Sequence, residues 1–252
     1  MRMVDLNELE SYCNAQLGAN EFDDYCPNGV QVEAAQQVRR LMVGVTACQA
    51  LIDAAVEWRA DALLVHHGFF WKGEAAPLRG IKGRRIASLI KNNVSLLAYH
   101  LPLDAHPEWG NNRQLARVLG LESAQSTPAG RGLVWQAELS RPISGVTLER
   151  QIAQALGRTP LHIDAAERMI GRIGWCSGAA QGFIEEVADL GLDAYISGEI
   201  SESTVHLARE RGIHYFAAGH HATERYGVQA LGERLAERFA LELSFIDIDS
   251  PA

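Results

Sequence analysis

The chain repeats itself, and the repeat constrains its fold more than any other feature. The phrase RADALLVHHG at residues 59–68 falls in register with GLDAYISGEI at residues 191–200, each with an Asp-Ala pair opening an apolar run. Upstream of each lie a strand-like segment (39–45 and 172–176) and a stretch with apolar residues at helical spacing (49–59 and 182–190). Downstream, 94–99 reads as a strand running into His100, and 213–218 as a strand running into Gly219 and His220. Helical patterns follow at 112–119 and 228–239, and the helices 6–17 and 148–156 also correspond. Strands alternating with amphipathic helices predict an α/β protein of two related halves, 1–125 and 126–252, with mainly parallel sheets flanked by helices. The turn-rich segment 126–132 (STPAGRG) marks the boundary, and 133–139 adds a strand.

With one gap, the register pairs His100 with His220 and Asp104 with Glu224, so each half carries a His with a carboxylate four residues later. His66 and His67 follow the strand of the first half directly. Ligands in α/β sheets gather outside the carboxyl ends of strands, so a metal site between the halves is expected there. Imidazole and carboxylate suit borderline divalent cations, and no thiolate is offered. The set His66, His67, Asp104, His220 and Glu224 exceeds the three ligands of a common mononuclear catalytic site. It predicts two divalent metal ions per chain, with Fe, Mn, Zn and Ni all acceptable. His100 is a general acid or base, or a hydrogen-bond donor to Asp104. Glu199 occupies the His67 position of the repeat and is read as a base, an outer partner of the site, or a carboxylate favoured before the helix 201–211. His221 is a second-tier candidate, and His106, His162 and His214 are given no role.

Beside the first patch, Phe69, Phe70, Trp71 and Lys72 precede Arg79, Lys82, Arg84 and Arg85. Aromatics could stack on a flat ring and the cations could receive phosphates, or both could serve packing and a solvated face. The formal charge of −8 gives no general attraction to nucleic acid. Scattered cysteines without a CxxC pair, no apolar leader and no membrane-length apolar run predict a cytoplasmic protein with reduced thiols. Phosphate-binding GxxxxGK[ST] and GxGxxG loops and the GxSxG elbow are missing.

The motifs VHHGFFWKGE, YHLPLDAHPEWGNN, ISGEISE and AAGHHATERYG, in that order, resemble the YbgI-type dinuclear-metal proteins, often named type 2 GTP cyclohydrolase I homologues. The resemblance spans nearly the whole chain. It implies a two-part α/β subunit, a toroidal homo-hexamer, and metal ligands at His66, His67, Asp104, His220 and Glu224. The expected function is a metal-dependent hydrolase acting on a small molecule such as a nucleotide or purine-like ring. The alternatives are a ring-shaped nucleic-acid-associated protein and a metal-handling protein without turnover.

Overall fold

A computed structural model describes residues 3–165 and 168–252. The first part of the chain runs β1 (Val4–Asp5), α1 (Leu6–Leu17), β2 (Gly29–Val32), β3 (Gln37–Val38), β4 (Arg40–Thr46), α2 (Gln49–Glu57), β5 (Ala62–His67), α3 (Gly80–Lys91), β6 (Ser95–Ala98) and α4 (Leu101–Ala105). It continues with α5 (Asn111–Val118), β7 (Gln125–Ser126), β8 (Trp135–Ile143), α6 (Gly145–Leu156), β9 (Leu161–Ile163), β10 (Ile170–Trp175), α7 (Ile184–Asp189), β11 (Ala194–Ser197), α8 (Glu202–Arg211), β12 (His214–Ala217), α9 (His220–Phe239) and β13 (Glu242–Phe245). No helix among the described residues is long and apolar enough to cross a membrane.

The chain divides into two compact units, but not at residue 125. Residues 1–109 and 227–248 make one; residues 110–226 and 249–252 make the other. The expected contiguous halves are therefore redrawn. The reason is β13, which returns to pair in parallel with β4 at the edge of the first sheet. Turn-rich residues 126–132 lie inside the second unit, where Ser126 pairs with Trp135.

The first sheet has the order β13-β4-β5-β6-β2, with β13, β4, β5 and β6 parallel and β2 antiparallel at the edge. The second has the order β7-β8-β10-β11-β12-β9, with β10, β11 and β12 parallel and the strands beyond them antiparallel. The parallel strands read as nearly unbroken apolar runs because both faces are buried. In the first unit, Leu41, Val43, Leu64, Leu97 and Tyr99 face one core, while Met42, Leu63, Val65 and Leu96 face the other. The same alternation puts Ile173, Trp175, Ile196 and Phe216 on one side of the second sheet, with Tyr195 and Tyr215 on the other.

The Asp-Ala pair that opens each repeated strand has a physical role. The Asp61 carboxylate accepts the backbone N–H groups of Arg39 and Arg40 at 2.9 and 2.8 Å, tying down the start of β4. Asp193 accepts those of Gly171 and Arg172, both at 2.9 Å, near the start of β10. Burial works to raise the Asp193 carboxyl. The Arg168 guanidinium and the two backbone donors outweigh it and hold the group below its ordinary value. A depressed carboxyl stabilises the fold above its unfolded value, and that stability is lost as pH falls through the folded value. Asp193→Asn should therefore melt below the wild type at neutral pH, and the gap should close under acid. Thermal melts at pH 7 and pH 3 check this.

Several elements differ from expectation. β8 extends to Ile143 and begins at Trp135 rather than at residue 133. The helix expected at 228 begins at His220 itself. His66 and His67 are the last two residues of β5, not a turn beyond it.

Candidate metal centre

In the first unit, β5, β6 and the segment before β2 bring the site residues together. His66 is fully buried, and its Nδ1 lies 2.8 Å from the Tyr99 carbonyl. A carbonyl only accepts, so Nδ1 carries a proton and Nε2 is the nitrogen available in type to a cation. That nitrogen lies 3.5 Å from Oδ1 of Asp104. An imidazole nitrogen beside a carboxylate in a buried site is a donor set that suits a cation. The 3.5 Å spacing is close to that of two donors sharing one ion through bonds of roughly 2.1 Å.

Neighbouring side chains on a regular strand point to opposite faces. At the end of β5 the two imidazoles instead converge, with ring centroids 4.5 Å apart. Nδ1 of His67 is 3.2 Å from the Thr46 hydroxyl. The His100 ring joins them, 5.1 Å from His66 and 5.7 Å from His67. One ring nitrogen from each of His66, His67 and His100 falls within a 4.8 Å group able to hold a metal ion.

His100 is oriented by Asp24, a residue the sequence reading missed. Its Nδ1 lies 2.6 Å from Asp24 Oδ1. Asp24 is itself held by the N–H groups of Leu101 and Tyr25 and by the Asn28 amide. Burial works to raise the Asp24 carboxyl, but His100 and Asn28 outweigh it and lower it. The imidazole thus donates through Nδ1, leaving Nε2 to exchange a proton elsewhere. Cys26 is near the same pair, but burial pushes its thiol up to about 12. It stays protonated at neutral pH and is a poor metal donor.

Of the aromatic run, Trp71 reaches this cluster, edge-on to His100 with centroids 5.0 Å apart. Phe69 is buried in the core. Lys82 donates to the Ala75 carbonyl at 2.7 Å and to Glu74 at 3.3 Å, so it braces its own loop rather than standing open for a phosphate.

In the second unit, the first turn of α9 presents His220 and Glu224 four residues apart on one face. Nε2 of His220 is 3.1 Å from Oε2 of Glu224, and Nδ1 is 2.7 Å from Oε1 of Glu199. Burial lowers the His220 value, but the two carboxylates outweigh it and raise it to about 9. Any ion taken by Nε2 must therefore displace a proton. Glu199 acts as the carboxylate on the far nitrogen of a ligand-type histidine, an arrangement that orients the ring and raises its basicity. This is the outer-partner role among those the sequence left open. The peptide at Gly178 lies against this pair with φ +65°, and its N–H donates to the Thr223 hydroxyl at 3.0 Å. His221 is buried, and its backbone N–H donates to the Ala252 carbonyl.

Each half-site is thus an imidazole–carboxylate pair set at the carboxyl end of parallel strands. The chain is 53% identical over 249 residues to a Vibrio cholerae protein named GTP cyclohydrolase 1 type 2 homolog, covering 97% of this chain and 98% of that one. A Pseudomonas aeruginosa protein of the same name is 54% identical over 251 residues, with 99% of each covered. The solved structure of the protein ybgI, described as of unknown function, superposes with a TM-score of 0.94 at 47% identity, covering 99% of this chain and 100% of that one. The profile of Duf34/NIF3 (NGG1p interacting factor 3) matches residues 4–251, and the chain belongs to that family.

Proposed function

We propose that this protein is a dinuclear-metal-dependent hydrolase acting on a nucleotide or purine-like ring, as the name of its relatives suggests for them. His66, His67, Asp104, His220 and Glu224 hold two divalent ions drawn from Fe, Mn, Zn and Ni. The observation that carries the reading is His66 Nε2 set 3.5 Å from the Asp104 carboxylate, with His66 Nδ1 held at the Tyr99 carbonyl. When bound, such a pair of ions acidifies water and offsets developing negative charge. The chain's own residues supply the rest. Asp24 holds the His100 ring so that Nε2 can take or deliver a proton. Trp71 walls the same side with an apolar edge. Glu199 keeps His220 in the orientation that presents Nε2. The protein works as a toroidal homo-hexamer in the cytoplasm, in keeping with its free cysteines.

The test is ring opening of GTP, followed by loss of purine absorbance in metal-loaded protein. His100→Ala should lower turnover by about 10²–10⁴-fold, the usual worth of a positioned acid or base, while the bound metal stays constant. Full turnover by His100→Ala would remove His100 from the mechanism, and no turnover on any purine nucleotide by the wild type would defeat the hydrolase reading.

A further inference from the structure

A second histidine cluster lies in the second unit, on the edge strand β9 and the start of β12. One ring nitrogen from each of His162 and His214 and an Asp164 oxygen all fall within 4.8 Å of one another. Counting protons shows what they need. His214 Nε2 lies 2.8 Å from the Arg168 carbonyl, which only accepts, so that nitrogen carries the proton. The neutral ring then has a lone pair at Nδ1. His162 Nδ1 lies 3.2 Å from a Glu149 carboxylate oxygen, so in the neutral ring its proton also sits there and Nε2 is bare. The two nitrogens face each other at 3.0 Å, with the Ala165 N–H a longer contact to His214 Nδ1 at 3.3 Å. Asp164 Oδ1 lies 3.3 Å from the same His214 nitrogen. Three groups able to donate a lone pair converge, and one shared cation would bind all of them.

Two arrangements can supply positive charge there. A single added proton on His162 would satisfy the nitrogen pair and leave Asp164 facing an occupied lone pair. A metal ion would satisfy all three. The spacings of 3.0 and 3.3 Å correspond to donors bound to one ion at roughly 2.1 Å with angles of roughly 90° and 104°, within a compressed four-coordinate shell. Each histidine also has its remote nitrogen engaged, one by a carboxylate and one by a backbone carbonyl. That is the pattern that sets the tautomer of metal-binding histidines. The rings are held rigidly. His162 stacks on Phe216 with centroids 4.2 Å apart. Gly145 at the start of α6 is required by close approach, since a Cβ there would lie 2.7 Å from Cε1 of both rings. Asp164 is exposed, which gives an ion a way in from solvent.

We propose that His162, His214 and Asp164 form a separate site for one borderline divalent cation of the zinc type, with water completing its shell. The ion ties the loop after β9 to β12 and serves the fold rather than the chemistry of the first centre. The long 3.3 Å contact from the Ala165 N–H to His214 Nδ1 is the bond that the ion displaces.

The site is tested by equilibrium dialysis of the full chain against zinc at neutral pH, followed by elemental analysis. The wild type should hold one more ion per chain than His162→Ala, whatever number the other centre holds. Asp164→Asn, altered at an exposed position that should leave folding intact, should weaken that one ion at least tenfold. It decides the matter if His162→Ala fails to fold by circular dichroism. Equal zinc content in wild type and His162→Ala, or unchanged affinity in Asp164→Asn, would overturn the proposal in favour of a protonated histidine pair.

Discussion

Asp104→Asn should lose metal at the first half-site and keep its fold. Asp104 is buried, and its Oδ1 lies 3.5 Å from Nε2 of His66. An asparagine amide has almost the same shape as the carboxylate but carries no charge and is a weaker cation ligand. Metal affinity should fall by at least about 100-fold, since an anionic ligand is lost outright. Metal titration reads the affinity, and circular dichroism of the chelator-treated protein reads the fold. Wild-type metal affinity in a folded Asp104→Asn protein would mean that Asp104 is not a ligand.

Gly178→Ala should have a comparable effect on the second half-site. Gly178 has φ +65°, a conformation that costs an alanine about 1 kcal/mol. A Cβ there would stand 2.1 Å from Glu224 Oε1 and 3.2 Å from His220 Nε2. The methyl group would push the Glu224 carboxylate aside and fill the space beside the imidazole. The sheet should survive, because the strain is confined to the peptide after β10. Metal bound at His220 and Glu224 should weaken by at least about 100-fold while circular dichroism stays unchanged. Wild-type affinity in Gly178→Ala would mean that these two side chains do not serve as ligands.

The parallel strands and their helices were legible because buried apolar runs and helical spacing are local signals. β5, β11 and α1 follow from them directly. The register between the halves also located Glu199, and its contact with His220 gives that position its meaning. Edge elements were not legible. β2, β9 and β13 are short, and their pairing depends on partners far away in the chain. β13 moved the division of the chain for this reason. The start of α9 at His220 was hidden because the preceding Gly219 reads as a breaker. Asp24 could not be found from spacing, since its partner His100 lies 76 residues away. His162 and His214 were passed over as isolated histidines. Only the strand pairing that sets His162 opposite Phe216 brings the two rings together.

The central claim is that His66, His67, Asp104, His220 and Glu224 hold two divalent ions. The most direct measurement is elemental analysis of protein purified without chelator, comparing wild type with the His66→Ala/His220→Ala double variant. Two fewer ions per chain in the variant is the predicted result. A difference of none or one would contradict it.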